Sequence, residues 1–277
     1  MKKKGFTLIE LLAVIVILAI IALIATPLVL KYIEKSRIES FKVSVENIKD
    51  SAIKYVASEQ LSGTVTYPVI LDVKDLDFKG KEDYTGKVIV YKDGSIKEYV
   101  QKENYRSSSG SLINGKSNPF LKVKEGKTAV IDEENKLVYS FWNNEKPNSK
   151  YIKMYLTLEI LQSIFEVENG SLEFEQVKAN AYSTGTKLIV KNEQGNIYEE
   201  YQIVIFGDVT SDGLINNSDA LVVHNHIEGE SLLTGAQLKA ADLNFDGLIV
   251  EEEAGLIMKI FNTELNYNQI TNKITYN

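Results

Sequence analysis

Two stretches near the C-terminus carry oxygen-bearing side chains at alternate positions of a 12-residue loop. The first loop spans residues 208–219, and the second spans residues 242–253, which begin 34 residues later. Calcium in proteins binds six to eight oxygen atoms, which such loops supply from alternate positions and from a final carboxylate. Position 6 requires glycine for a sharp turn, and Gly213 and Gly247 stand there. The spacing therefore predicts two calcium sites.

The predicted ligands differ between the loops. The second loop satisfies the full calcium-loop pattern, although Val250 at position 9 has no side-chain oxygen and leaves that place to water. The first departs at position 3, where Thr210 offers a hydroxyl, and at position 12, where Asp219 is shorter than glutamate. Each loop still places three carboxylates at ligand positions, enough for a divalent ion. The predicted ligands are Asp208, Thr210, Asp212, Leu214, Asn216 and Asp219 in the first loop, and Asp242, Asn244, Asp246, Leu248 and Glu253 in the second.

A plainer interpretation is that the aspartates only cap two helices, predicted over residues 219–228 and 251–261. Capping requires one acidic residue at each helix start, and it does not explain three acidic or amide side chains at alternate positions. His224 and His226 are two residues apart on the first of these helices. They point to different faces, so we do not expect them to hold a metal jointly.

The N-terminal thirty residues form the other informative stretch. Three lysines precede an apolar run, and no charged residue occurs from Leu11 to Leu30. As a helix this run would span about 30 Å, the thickness of the hydrocarbon core of a bilayer. The lysines predict a cytoplasmic N-terminus and export of the rest of the chain. Glu10 borders the run, and a carboxylate in an apolar segment is costly enough to predict a functional partner, although a merely tolerated interfacial glutamate is the alternative.

Composition limits the functions of the exported part. The net charge is −7, and without the N-terminal Lys2, Lys3 and Lys4 it is −10. This negative charge argues against nucleic-acid binding through a basic face. The chain has no cysteine, so no disulfide can stabilise it. We find no nucleophile–base pair, phosphate loop or paired acid and base, and we expect that the protein is not an enzyme.

The elements between these stretches predict an α+β chain. An apolar stripe at Ile38, Phe41, Val45, Ile48, Ala52 and Tyr55 predicts one long helix over residues 6–60, with its membrane part at 6–30 and a kink at Pro27. Residues 61–100 predict a small β head that includes a hairpin turning at Asp93 and Gly94. A polar run at 101–119 predicts a linker, and 120–206 a second small, mainly β module with one helix. The helical calcium-loop pair follows at 207–265, and 266–277 is a tail.

The sequence from Gly5 through Phe6 to Glu10 resembles the N-terminal motif of type IV pilins and the pseudopilins of type II secretion. The resemblance implies a leader over residues 1–5, cleavage by a prepilin peptidase between Gly5 and Phe6, and N-methylation of Phe6. It also implies that Glu10 pairs with the cationic N-terminus of a neighbouring pilin subunit. The protein would then be a single-pass membrane protein, with its N-terminus inside, that assembles into a surface filament or pseudopilus.

Residues 207–261 resemble a type I dockerin, because two loops are each followed by a helix and the first loop follows a strand. Dockerins bind cohesin domains in polysaccharide-degrading complexes. The resemblance implies that loop positions 10 and 11 contact the cohesin, which here are Asn217 and Ser218 in the first repeat and Glu251 and Glu252 in the second. Two interpretations stay open: calcium orders a docking surface, or it is only a structural staple in a chain without disulfides.

Overall fold

The computed structural model describes residues 8–63, 65–115, 118–143, 152–153, 156–179 and 181–276. The chain divides into two compact units, residues 1–44 and residues 45–277. Its architecture is α+β, with one long N-terminal helix and several β-sheets, which confirms the predicted class.

Helix α1 runs from Leu8 to Ser62 with Pro27 in its interior, so the predicted long helix is confirmed over the described residues. An 18-residue window of it is apolar and long enough to cross a bilayer, and none of that window is buried. Farther along, Val45, Ile48 and Ala52 of the predicted stripe are buried in the second unit. The predicted stripe is wrong at Tyr55, which is exposed, and Val56 is buried instead. Gly63 then donates its backbone N–H to the Glu59 carbonyl at 3.1 Å, and the helix ends.

An antiparallel sheet of five strands forms the head. Its strands are β1 (Val69–Asp72), β2 (Thr85–Val90), β3 (Ile96–Lys102), β4 (Tyr105–Ser108) and β5 (Ser111–Asn114), in spatial order β1-β2-β3-β4-β5. Two short 3₁₀ turns, Val73–Asp75 and Lys81–Asp83, connect β1 to β2. The predicted hairpin is confirmed, because β2 pairs with β3 across the turn that contains Asp93 and Gly94.

The predicted linker at residues 101–119 is wrong for residues 105–114, which form β4 and β5. The linker prediction assumed that the polar side chains of this run are solvated. Arg106 and Ser107 are instead buried and hydrogen-bonded. Ser107 donates its hydroxyl to Glu98 at 2.8 Å. A positive φ at both Ser109 and Gly110 turns the chain between the strands, as in a two-residue hairpin.

A second five-stranded sheet has the order β11-β12-β13-β8-β7. Its strands, with the elements interleaved among them, are β6 (Phe120–Val123), β7 (Val130–Asp132), β8 (Leu137–Tyr139), β9 (Ile152–Lys153), α2 (Leu158–Ile164), β10 (Phe165–Glu168), β11 (Gly170–Glu175), β12 (Lys187–Asn192) and β13 (Ile197–Ile203). Strand β6 pairs with β10 outside that sheet. The central strand β13 pairs with β12 and, in parallel, with β8, and it leads directly towards the first loop.

One hydrophobic core joins the parts that the sequence predicts as separate modules. Ile89 of the head, Leu121 of β6, Tyr201 of β13 and Ile257 near the C-terminus belong to one buried cluster. The division into modules 61–100, 120–206 and 207–265 is therefore wrong as a description of independent cores. Small sheets need cover on their apolar faces, and here the neighbouring segments provide it.

The C-terminal region contains the elements β14 (Leu214–Ile215), α3 (Asn217–Ile227), α4 (Gly235–Ala241), α5 (Glu251–Phe261), β15 (Leu265–Asn268) and β16 (Lys273–Tyr276). The predicted tail at 266–277 is wrong, because β15 and β16 form a hairpin that packs on the core. Gln269, between the two strands of this hairpin, attaches it to the core. Its side chain accepts the Phe206 N–H at 2.8 Å and donates to the Phe206 carbonyl at 2.6 Å. The backbone N–H and carbonyl of the buried Phe206 thereby both have hydrogen-bond partners.

Candidate metal centre

The two 12-residue loops share three hydrogen bonds at equivalent positions. In each loop a side-chain oxygen of position 1 accepts the backbone N–H of position 6. A side-chain oxygen of position 5 accepts the N–H of position 7, and one of position 12 accepts the N–H of position 9. In the first loop the bonds are Gly213 N to Asp208 Oδ1 (3.2 Å), Leu214 N to Asp212 Oδ1 (2.9 Å) and Asn216 N to Asp219 Oδ2 (2.8 Å). In the second they are Gly247 N to Asp242 Oδ1 (3.3 Å), Leu248 N to Asp246 Oδ1 (2.8 Å) and Val250 N to Glu253 Oε2 (3.0 Å).

The backbone turns of the loops also correspond. Position 4 is left-handed in both, with φ of 60° at Ser211 and 61° at Phe245. Position 6 is left-handed as well, with φ of 75° at Gly213 and 79° at Gly247, where a side chain would be strained. The two segments therefore follow similar backbone paths although their side chains differ.

Negative charge accumulates in the first loop. Asp208 is fully buried, and burial, reinforced by Asp219 and Asp212, raises the pKa of its carboxyl to about 7 against the pull of backbone N–H donors. Burial also raises the pKa of Asp219. A bound cation would favour the ionised form of both groups.

Two buried oxygen atoms at predicted ligand positions accept no hydrogen bond within the described part of the chain. They are Thr210 Oγ1 at position 3 of the first loop and Glu253 Oε1 at position 12 of the second. A buried oxygen without a partner is costly, and hard oxygen donors are what calcium prefers. The residues present therefore fit a calcium ion in each loop.

The C-terminal region thus contains two loops with matching turns, each followed by a helix. Residues 206–262 match the family model of the dockerin type I domain. Dockerin domains generally bind calcium, and they bind cohesins. At the other end of the chain, residues 1–26 match the model of the prokaryotic N-terminal methylation motif. No curated protein and no solved structure matches the chain.

The predicted ligands of the dockerin region differ in exposure. Asp208, Asp219, Asp242 and Glu253 are buried, Thr210, Asp212, Leu214, Asn216 and Asn244 are half-buried, and Asp246 and Leu248 are exposed. Across the described residues, no three acidic, histidine or cysteine side chains stand close enough to hold a metal by themselves. A calcium loop draws further oxygens from amides, hydroxyls and carbonyls, so the loops do not depend on such a closed cluster.

Lys239 is a neighbour of the second loop that sequence reasoning missed. It is the third residue before the second loop, and its ammonium lies 2.8 Å from Asp242 Oδ2. The same ammonium lies 4.0 Å from the centre of the Phe245 ring. One oxygen of Asp242, the first predicted ligand in the second loop, therefore already has a cationic partner. The equivalent Asp208 in the first loop instead accepts the backbone N–H groups of Thr184, Asp212 and Gly213.

A segment of the preceding module holds the first loop from outside the dockerin region. Thr184 donates its N–H to Asp208 Oδ2 at 3.0 Å, and Ser183 donates its hydroxyl to the Ser211 carbonyl at 3.0 Å. Lys178 donates to the Thr210 carbonyl at 2.8 Å. A polar run, Ser183 to Thr186, was the available signal, but nothing local in it identifies the loop as its partner.

The helices that leave the loops expose the predicted docking positions. Asn217, Ser218, Glu251 and Glu252 are exposed at the starts of α3 and α5. Asp219 and Glu253 each accept the N–H of the residue that precedes their helix, so the capping interpretation accounts for one carboxylate per loop and no more. His224 Nδ1 lies 2.6 Å from Glu251 Oε1, while His226 Nδ1 accepts from Leu233 N, so the two histidines do not converge.

The N-terminal site is described only in part. Gly5 and Phe6 lie outside the described residues, and Glu10 is exposed in the first turn of α1. The methylation motif and the long apolar helix fit membrane anchoring.

Proposed function

We propose that this chain is a prepilin-type subunit of a type IV pilus or pseudopilus that displays a calcium-ordered dockerin domain to a cohesin-bearing partner. One observation carries the proposal: the position-matched hydrogen bonds and turns of the two loops lie within the region that matches the dockerin family. The methylation motif at the opposite end supports the pilin part. The proposal includes no catalytic step.

In this proposal the first loop holds calcium through Asp208, Asp212 and Asp219, and the second through Asp242, Asp246 and Glu253, with the remaining ligands as predicted from the sequence. Calcium when bound supplies positive charge that favours the ionised carboxylates. The chain itself fixes the loop turns through the shared N–H donors and begins α3 and α5 at the docking positions. Ordered loops thereby set the directions of the two helices.

The docking half is tested by capture of the full chain, in detergent micelles, on an immobilised type I cohesin. We expect capture with calcium and loss of capture with chelator. Replacing both Asn217 and Ser218 by alanine should weaken capture, whereas Gln194→Ala, an exposed change in the turn between β12 and β13, should leave it intact. Equal capture with chelator would contradict the proposal.

The staple function is the second candidate, and it is favoured by the burial of Asp208, which accepts the N–H of Thr184 from the preceding module. It predicts that chelator lowers the melting temperature while no cohesin is captured. The same protein preparation thus separates the two candidates, because stability and capture are read independently.

The pilin half is tested by processing in a host that carries a prepilin peptidase. The mature chain should begin at N-methylated Phe6, face outwards after its single membrane pass, and assemble with other copies. Gly5→Val should leave the precursor uncleaved by mass spectrometry, whereas Lys3→Gln should mature normally. Glu10→Gln should reduce filament assembly, with Glu34→Gln on the same helix as the matched control. Normal maturation of the Gly5 variant would contradict this half.

A further inference from the structure

The two calcium loops have similar backbones but different surroundings. Asp208, the first residue of the first loop, is fully buried. At the matched positions 5 to 7, residues 212–214 of the first loop are buried or half-buried, whereas residues 246–248 of the second loop are exposed. The rest of the second unit therefore covers one loop and leaves the middle of the other in contact with solvent.

The preceding module holds the first loop along its length. Thr184 bonds to the ligand at position 1, and Lys178 and Ser183 donate to the backbone carbonyls at positions 3 and 4. Ser183 and Thr184 are themselves fully buried. At positions 7 and 8 the loop forms β14, which pairs with β9 of the same module. The first loop can open only if these contacts with the module break.

The matched positions of the second loop are held mainly from within. Asn244 at position 3 accepts the N–H of Asp246 at 2.9 Å and donates its amide to Asp246 Oδ2 at 3.1 Å. Residues 248–249, at positions 7 and 8, belong to none of the strands that the structure describes. Tyr267 of the C-terminal hairpin donates to the carbonyl of Leu243 at 3.3 Å, which ties position 2 but not the exposed middle. The middle of this loop can therefore open locally.

Charge acts in the same direction. The Lys239 ammonium lies 2.8 Å from a carboxylate oxygen of Asp242, a predicted ligand of the second loop, and it would repel a cation there. Lys178, beside the first loop, donates instead to a backbone carbonyl. The second loop thus has both the easier opening and the closer opposing charge.

Release of an ion requires its ligands to separate. Exposed segments open with little free energy, whereas segments bonded to a buried core open at a cost that approaches global unfolding. We infer that the two loops divide the two roles of calcium: the first keeps its ion as a permanent staple, and the second exchanges its ion and so switches the start of α5. The inference rests on the proposed binding of calcium by both loops.

Glu253 connects the second loop to the docking surface. It is the last predicted ligand of that loop, and its Oε2 accepts the N–H of Val250, the residue that caps α5, at 3.0 Å. The predicted docking residues Glu251 and Glu252 lie between these two. Opening of the second loop therefore loosens one half of the docking surface, while Asn217 and Ser218 stay ordered by the first.

The test mixes the calcium-loaded full chain, in detergent micelles, with an excess of a fluorescent calcium chelator in a stopped-flow instrument. We expect two phases of equal amplitude whose rate constants differ about a hundredfold, the effect of breaking two or three more hydrogen bonds of ordinary strength. Asp242→Asn should remove the fast phase alone. Two ions released at one rate, or loss of the slow phase in Asp242→Asn, would overturn the inference and leave calcium binding intact. No released calcium would contradict both.

Deuterium pulse labelling between the two phases identifies the loop that has opened. The N–H groups of residues 247, 248 and 250 should exchange, while the matched N–H groups of residues 213, 214 and 216 stay protected. Each of these groups donates to a predicted ligand of its own loop, so its exchange reports that loop directly. Simultaneous exchange of both sets, or earlier exchange in the first loop, would overturn the inference.

A variant of the module tests what holds the first loop. Ser183→Ala removes the hydroxyl that donates to the loop and should accelerate the slow phase about tenfold without changing the fast phase. Ser140→Ala is the matched control, because Ser140 is also buried and its hydroxyl has no hydrogen-bond partner within the described residues. It should leave both rates unchanged. A slow phase that Ser183→Ala does not accelerate would contradict the inferred hold.

Discussion

The backbone N–H of Thr184 donates to Asp208 Oδ2 at 3.0 Å, which ties the preceding module to the first ligand of the first loop. The Thr184 hydroxyl closes the contact, because it donates to the Ile205 carbonyl and accepts the Ile205 N–H, each at 3.1 Å. Both residues are buried. The first loop of the dockerin region therefore depends on residues outside that region.

Thr184→Val should destabilise the protein and weaken its first calcium site. The change keeps the volume but leaves the buried Ile205 N–H without its partner, at a cost of about 1–3 kcal/mol in the free energy of unfolding. The Ile205 carbonyl loses one of two donors and still accepts the Asp208 N–H. Urea unfolding in calcium measures it. Thr234→Val is the matched control, because the Thr234 side chain makes no capping hydrogen bond and the change should be nearly neutral. Equal stability of the two variants would refute this dependence.

Lys239→Met should strengthen calcium binding in the second loop. The Lys239 ammonium lies 2.8 Å from Asp242, so its removal takes away a positive charge that would repel the ion. We expect about a tenfold decrease in the dissociation constant of that site, equivalent to about 1.4 kcal/mol. Lys259→Met makes the same change in net charge at an exposed position of α5 and should have a much smaller effect. Weaker binding in Lys239→Met would mean that the lysine positions Asp242 rather than competes.

Arg106→Lys should destabilise the second unit. Arg106 is buried, donates to the Leu121 carbonyl at 2.9 Å, pairs with Glu133 and lies 4.7 Å from the Phe120 ring centre. Lysine cannot serve these partners together, so we expect a loss of about 3 kcal/mol in the free energy of unfolding. Arg37→Lys on an exposed part of α1 should change little in the same denaturation experiment. A flexible linker at this position would instead predict no loss.

Stability should rise with pH through the titration of Lys87. Burial lowers the pKa of the Lys87 ammonium from 10.5 to about 8, and its Nζ donates to the Ile270 carbonyl at 2.7 Å. Between these values the unfolded chain binds more protons than the folded chain, so the free energy of unfolding increases with pH, by up to about 3 kcal/mol in total. The cost of burying the charge is fully present below the folded pKa.

The measurement compares urea unfolding midpoints from about pH 7 to about pH 9, below most of the titration of the tyrosines. Lys87→Met should flatten the profile, and Lys97→Met, an exposed lysine of β3, should retain the rise. Parallel profiles for all three proteins would exclude Lys87 as the origin.

Local pattern predicted what depends on local chemistry. The glycines at 213 and 247 mark the loop turns, Asp93 and Gly94 mark the head hairpin, and helix α5 spans the predicted residues 251–261. Each signal lies within a dozen residues of the structure that it specifies. The short helix α4, which begins at Gly235, has a local start signal in Thr234 and Gln237 that the sequence analysis did not use.

The elements that the sequence did not predict depend on contacts between residues far apart in the chain. Residues 105–114 have the composition of a solvated segment, and distant partners such as Leu121 and Glu133 for Arg106 and Glu98 for Ser107 make their burial favourable. The C-terminal hairpin docks through Gln269, which bonds to Phe206, 63 residues away in sequence. A single sequence states which groups need partners, but it does not state which distant residue supplies them.

Calorimetric titration of calcium into the chelator-stripped full chain tests the central claim most directly. The account predicts two calcium ions per chain for the natural protein, one for Asp208→Asn and one for Asp242→Asn, because each variant removes the first ligand of one loop. No heat of binding at about 1 mM calcium, or unchanged stoichiometry in both variants, would contradict it.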